Sequence, residues 1–128
     1  MILHPLAKKT LVLGSVMLAL AVLIGAFGAH GLQKIVAADK LVTFETGVRY
    51  HFYHGFGILL VGILQQVFQS AKLQVPVGAF LVGTLLFSFN CYLYVVTGIK
   101  TFAMIVPVGG TLFVLGWIVL AVKLGKLK

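Results

Sequence analysis

The sequence predicts an all-α integral membrane four-helix bundle with an amphipathic interfacial segment between helices 1 and 2. Three observations carry that expectation. Of the 128 residues, 61% are apolar and 9% charged, where a soluble domain carries roughly a quarter charged residues. Too few polar side chains remain to cover a water-exposed surface, and disorder requires the opposite composition. Next, residues 10–33, 50–71, 73–99 and 101–122 form four runs without Lys, Arg, Asp or Glu. Each exceeds the roughly 20 residues that cross a hydrocarbon core. Finally, the charges lie between these runs, where a membrane protein places its links and ends.

In lipid the backbone must bond within its own segment, so the runs are read as helices spanning about 10–30, 50–70, 76–98 and 102–122 of a single domain, 1–128. The first follows Lys8 and Lys9 and ends in small residues from Gly25 to Ala29, imitating a cleavable signal peptide. It is read as a true span. Residues 31–49 mix apolar positions (Leu32, Ile35, Val36, Leu41, Val42, Phe44) with Lys34, Asp39, Lys40 and Glu45, a pattern suited to the membrane interface. The second helix opens with Tyr50, Phe52, Tyr53 and Phe56, read as an interfacial aromatic belt. Pro76 and Pro107 are placed near the starts of the third and fourth helices, where a missing N–H costs little.

Lys8, Lys9, Lys72, Lys123, Lys126 and Lys128 fall on one side of this topology, against Lys34, Lys40, Arg49 and Lys100 on the other. The excess of six over four puts both termini in the cytoplasm. The formal charge of +8 thus points to the lipid bilayer as partner rather than nucleic acid, since no basic patch with interleaved polar residues exists. Small residues mark expected seams between helices: Ala21, Gly25 and Ala29 in the first, Gly55, Gly57 and Gly62 in the second, Ala79 and Gly83 in the third, Gly109, Gly110 and Gly116 in the fourth. A ligand-clearing role for these residues is the alternative.

The polar groups gather at one boundary in this reading: His30 ends the first span, while Glu45, Arg49, Tyr50, His51 and His54 surround the start of the second. On a helix, Glu45 and Arg49 can pair, as can Tyr50 and His54, with His51 pointing away from both. Three roles are open. His30, Tyr50 and His54 can bind a haem, a metal or a quinone headgroup between two helices; the histidines can relay protons; or His30 and the Glu45/Arg49 pair are structural locks. Asn90 is expected to bond across helices, and Cys91 to be a small buried residue. No HExxH, CxxC, hydrolase constellation or glycine-rich nucleotide loop is present. Neither an enzyme nor a resident cofactor is predicted.

Gly25-Ala-Phe-Gly-Ala-His-Gly31, Thr46-Gly-Val-Arg-Tyr-His-Phe-Tyr-His54, Leu86-Phe-Ser88 with Tyr92-Leu93, Val106-Pro-Val-Gly-Gly110 and Gly116-Trp117 resemble the motifs of the YgdD/YwdK-type family of small bacterial inner-membrane proteins. The resemblance covers nearly the whole chain. It implies a four-helix multi-pass protein of the bacterial inner membrane and no reaction, the family being a domain of unknown function. Two departures stand out: His51 where glutamine is expected, and Phe89-Asn90-Cys91 where small residues are. The motif positions carried over are His30, Gly47, Tyr50 and His54. The function expected is structural or accessory, in association with a larger membrane complex or a second copy. The alternatives are the binding module above and a small transporter or proton path, for which four helices leave little room.

Overall fold

The computed structural model describes residues 2–127, which form four helices in the order α1 (Pro5–His30), α2 (Ala38–Phe68), α3 (Gln74–Thr97) and α4 (Lys100–Leu124). Short 3-10 turns, Leu32–Lys34 and Ala71–Leu73, follow α1 and precede α3. The helix ends have local causes. At the start of α1, Pro5 occupies the first turn and the His4 ring Nδ1 accepts the Leu6 N–H. At the end of α3, Gly98 takes the left-handed conformation at φ 71°, open to glycine without a Cβ penalty. Gln69 closes α2 in the same region, at φ 47°.

Two boundaries differ from the sequence expectation. The second helix starts at Ala38, so most of the segment 31–49 becomes its opening turns and only the Leu32–Lys34 turn stands apart. Pro107 lies well inside α4, where its missing N–H leaves the Ala103 carbonyl without its helical partner. Membrane helices tolerate such a break when neighbours pack closely around it. Here α3 does, against Gly109.

Each helix packs on the next. Gly28 lies against Phe44, Leu18 against Gly55 and Leu11 against Gly62, so α1 and α2 run antiparallel along their full lengths. Gly47 against Cys91 and Gly57 against Phe80 do the same for α2 and α3, as do Gly83 against Phe113 and Phe80 against Gly116 for α3 and α4. The buried stripe of α2 is Phe44, Gly47, His51, His54, Ile58, Val61 and Gln65. That of α1 includes Ala7, Thr10, Gly14, Met17, Ala21 and Gly28. Both alternate steps of three and four, the heptad pattern of left-handed helix packing. The expected α1 seam of Ala21, Gly25 and Ala29 is therefore only partly used: Ala29 is exposed.

Three helical stretches are long and apolar enough to cross a membrane: Pro5–Lys34, Ala71–Thr97 and Lys100–Leu124. In α2, length suffices but His51, His54, Gln65 and Gln66 dilute the apolar run. Three of those four are buried against other helices, whereas Val12, Val22, Leu23, Met104, Val114 and Ile118 of the outer helices are exposed. The polarity is inside and the apolar surface outside, as a bilayer demands. Two buried hydroxyls are settled locally: Thr10 bonds the Leu6 carbonyl and Thr84 the Phe80 carbonyl.

A methyl group added at Gly109 would meet the backbone of α3 at Phe87, Leu86 and Gly83, while one added at Gly78 meets nothing within 4 Å. Gly109→Ala is expected to destabilise the detergent-solubilised protein by about 1–3 kcal/mol, read as a lower thermal midpoint. Gly78→Ala should hold or slightly raise the midpoint. Equal midpoints would contradict this seam.

Candidate functional site: a histidine and aromatic layer at mid-bundle

The antiparallel pairing of α1 and α2 sets the heights of their histidines. With Gly28 opposite Phe44 and Leu18 opposite Gly55, His30 stands level with about residue 43. That is some 11 residues from His54, or about 16 Å along the axis at 1.5 Å per residue. His30 is exposed at the end of its helix, while His54 is buried near the middle of α2. The expected gathering of His30, Tyr50 and His54 at one membrane boundary is thus overturned. Tyr50 and His54 do share a site, at mid-bundle, and of the aromatic belt expected at an interface Tyr50 and Tyr53 border that layer while Phe56 is exposed. The reason is the early start of α2 at Ala38, which moves Tyr50 just over three turns into the helix.

The His54 ring is held from both sides. Its Nδ1 lies 2.7 Å from the Tyr50 carbonyl oxygen one turn back, and its Nε2 accepts the Trp117 indole N–H from α4 at 3.2 Å. A carbonyl only accepts and an indole N–H only donates, so the ring is the neutral tautomer with its proton on Nδ1. Phe113 stacks on it with centroids 3.4 Å apart and planes 5° from parallel. Tyr50 packs on Phe87 at 4.7 Å and Phe80 on Trp117 at 4.6 Å. Binding a metal or haem iron through Nε2 would require removing Trp117, because the lone pair is already engaged. Among the described residues, no three His, Cys, Asp or Glu side chains gather where they can hold a metal ion.

His51, one turn earlier, faces α3 and α1. Its Nδ1 is 3.0 Å from the Tyr92 hydroxyl, and the ring is fully buried. His51 Nε2 and Ser88 Oγ are both buried without a hydrogen-bond partner among the described residues. Hence the histidine expected to point away from both the Glu45/Arg49 and the Tyr50/His54 pairs is the one that joins α2 to α3.

The remaining predicted polar roles change. Glu45 and Arg49 are both exposed, and no carboxylate–cation contact within 4.0 Å occurs among the described residues. They flank a shallow groove over Gly25 and Gly28 instead of locking a loop. Asn90 bonds the Leu85 carbonyl of its own helix at 3.0 Å and not a neighbour. Cys91 is buried against Gly47, as expected. Trp117, Tyr92 and His51 are the site residues that sequence reasoning missed. For His51 the three-and-four spacing from Phe44 through His51 and His54 to Gln65 was the available signal.

Tyr50, Tyr53, His54, Phe87, Phe113 and Trp117 border an open groove of about 500 Å³ between α2 and α4. A double-mutant cycle on His54→Ala and Trp117→Phe should show coupling of about 0.6–1.7 kcal/mol in thermal or denaturant unfolding, the range of interhelical bonds in membranes. Additive effects would deny that the pair is bonded.

Comparison with known proteins agrees with this architecture. The profile of a family described as "Protein of unknown function (DUF423)" matches residues 24–110. A UPF0382 membrane protein of Staphylococcus aureus (strain bovine RF122 / ET3-1) is 36% identical over 121 residues, covering 93% of this chain and 97% of that protein. The UPF0382 membrane protein YwdK of Bacillus subtilis (strain 168) is 36% identical over 120 residues, covering 93% and 98%. One from Staphylococcus saprophyticus is 34% identical over 120 residues, covering 94% and 99%. No solved structure matches. With its helical membrane architecture and these relatives, the chain belongs to the DUF423 family, the UPF0382 membrane proteins, whose activity is unknown.

Proposed function

We propose that this chain is a non-enzymatic inner-membrane protein that works by associating, through its lipid-facing helix surfaces, with a larger membrane complex or a second copy. One observation carries the reading: the side chain best placed for chemistry, His54, has both ring nitrogens committed to holding helices together. The outer faces of α1 and α4 meanwhile offer broad apolar surface, open to a neighbouring helix as well as to lipid. All four helices cross the bilayer, α2 being carried across by its full-length antiparallel pairing with α1 and α3. Both termini lie in the cytoplasm, on the side with more lysines.

A second reading has one observation in its favour. Tyr50, Tyr53, His54 and Trp117 border the groove between α2 and α4, whose aromatic walls suit a flat ring such as a quinone headgroup. His30 has no part in it.

Photo-crosslinkers placed at Val22, Val114 and Ile118 in native membranes test the first reading. It expects one adduct of defined mass from a subset of positions; monomer alone at every position would overturn it. Extraction and mass spectrometry of the purified protein separate the second, since a quinone retained by the wild type and lost in Tyr50→Phe would favour binding. Reporter fusions at both termini should report the cytoplasm, and opposite locations would refute the four-crossing topology.

A further inference from the structure

The lysines are not spread evenly over the bundle. Lys72 in the turn before α3 and Lys123 and Lys126 at the end of α4 line one recess of about 290 Å³, whose floor includes Ile118, Val122 and Leu127. Lys8 and Lys9, in the first turns of α1, belong to the same end, since α1 begins where α2 ends. Both acidic side chains, Asp39 and Glu45, sit in the opening turns of α2, toward the opposite end. Among the described residues no carboxylate lies within 4.0 Å of any of these lysines. Three cations from two separate elements thus line one recess, with no counter-charge beside them among the described residues.

The recess also has a direction. Ile118 is 53% and Val122 51% exposed, and they continue the apolar outer face of α4 away from the lysines and into the hydrocarbon. A free inorganic anion would use the charges and leave this wall unused. An anion that carries acyl chains would use both.

We propose that the recess of Lys72, Lys123 and Lys126 is a binding site for an anionic phospholipid, with the phosphate among the three ammonium groups and an acyl chain along Ile118 and Val122. A headgroup with two phosphates, as in a diphosphatidylglycerol, matches three convergent cations better than a single phosphate does. The site is distinct from the histidine layer and does not rest on the association reading.

Native mass spectrometry of the full-length protein in mild detergent tests this, with diphosphatidylglycerol, phosphatidylglycerol and phosphatidylcholine each added at matched concentration. The wild type is expected to retain the diphosphate lipid at least about tenfold more strongly than the zwitterionic one, since each lysine near an anionic headgroup is worth about fivefold. The triple variant Lys72→Gln/Lys123→Gln/Lys126→Gln should fall to the zwitterionic level, while Lys34→Gln/Lys40→Gln/Lys100→Gln at the other end keeps the preference. All six side chains lie at the bundle ends, and equal thermal midpoints check that both variants fold. Equal losses in the two variants would mean diffuse charge attraction and overturn the site. So would the absence of any lipid preference, or inorganic phosphate displacing the lipid at millimolar concentration.

Discussion

Hydrocarbon offers a buried hydrogen-bonding group no partner except another part of the protein, and α2 carries three such side chains on one face. His51, His54 and Gln65 lie on one stripe of that helix. Each is passed to a different contact: His51 to Tyr92 of α3, His54 to Trp117 of α4, and Gln65 to Gln74 at the start of α3, at 2.9 Å. A helix with this face cannot stand at the edge of a bundle in lipid. It must be enclosed, which leaves the more apolar α1 and α4 to form the outside.

Enclosure needs close approach, and the glycines supply it in register with the rings. Phe44 of α2 covers Gly28 of α1, Phe80 of α3 lies between Gly57 of α2 and Gly116 of α4, and Phe113 of α4 covers Gly83 of α3. Helices in lipid gain little from hydrophobicity toward one another, so contact area decides their packing. A flat ring over a bare backbone gives a large area at short range. The aromatic layer and the glycine seams are therefore one device, described from its two sides.

Much of this was legible in the amino-acid order and some was not. The helices, their number and the links at Lys72 and Lys100 follow from the spacing of charges, because burying a charge in lipid is costly enough to mark every boundary. The start of α2 did not follow, since charges such as Asp39 and Lys40 are tolerated in a helix that projects beyond the hydrocarbon, and a long side chain such as that of Arg49 can reach back to the boundary. That error of 12 residues carried the histidines to the wrong depth and made an interfacial cluster out of His30, Tyr50 and His54. Pro107 misled for a related reason: proline ends helices in water, yet a packed membrane helix holds its course through it. The Tyr50/His54 neighbourhood was visible as i, i+4 spacing, whereas the partners Trp117 and Tyr92 belong to other helices and leave no local trace.

The N-terminal seal of α1 has a consequence for the order in which contacts can form. The His4 N–H donates to Gln66 Oε1 at 2.7 Å, and Gln66 Nε2 donates to the Ile2 carbonyl, so the first residues are pinned by a side chain in the last turn of α2. On a ribosome that partner emerges some 60 residues later. The first helix accordingly waits, its leading edge unfastened, until the second has been synthesised almost to its end. The α1–α2 hairpin is therefore fastened at this end only once both helices are present.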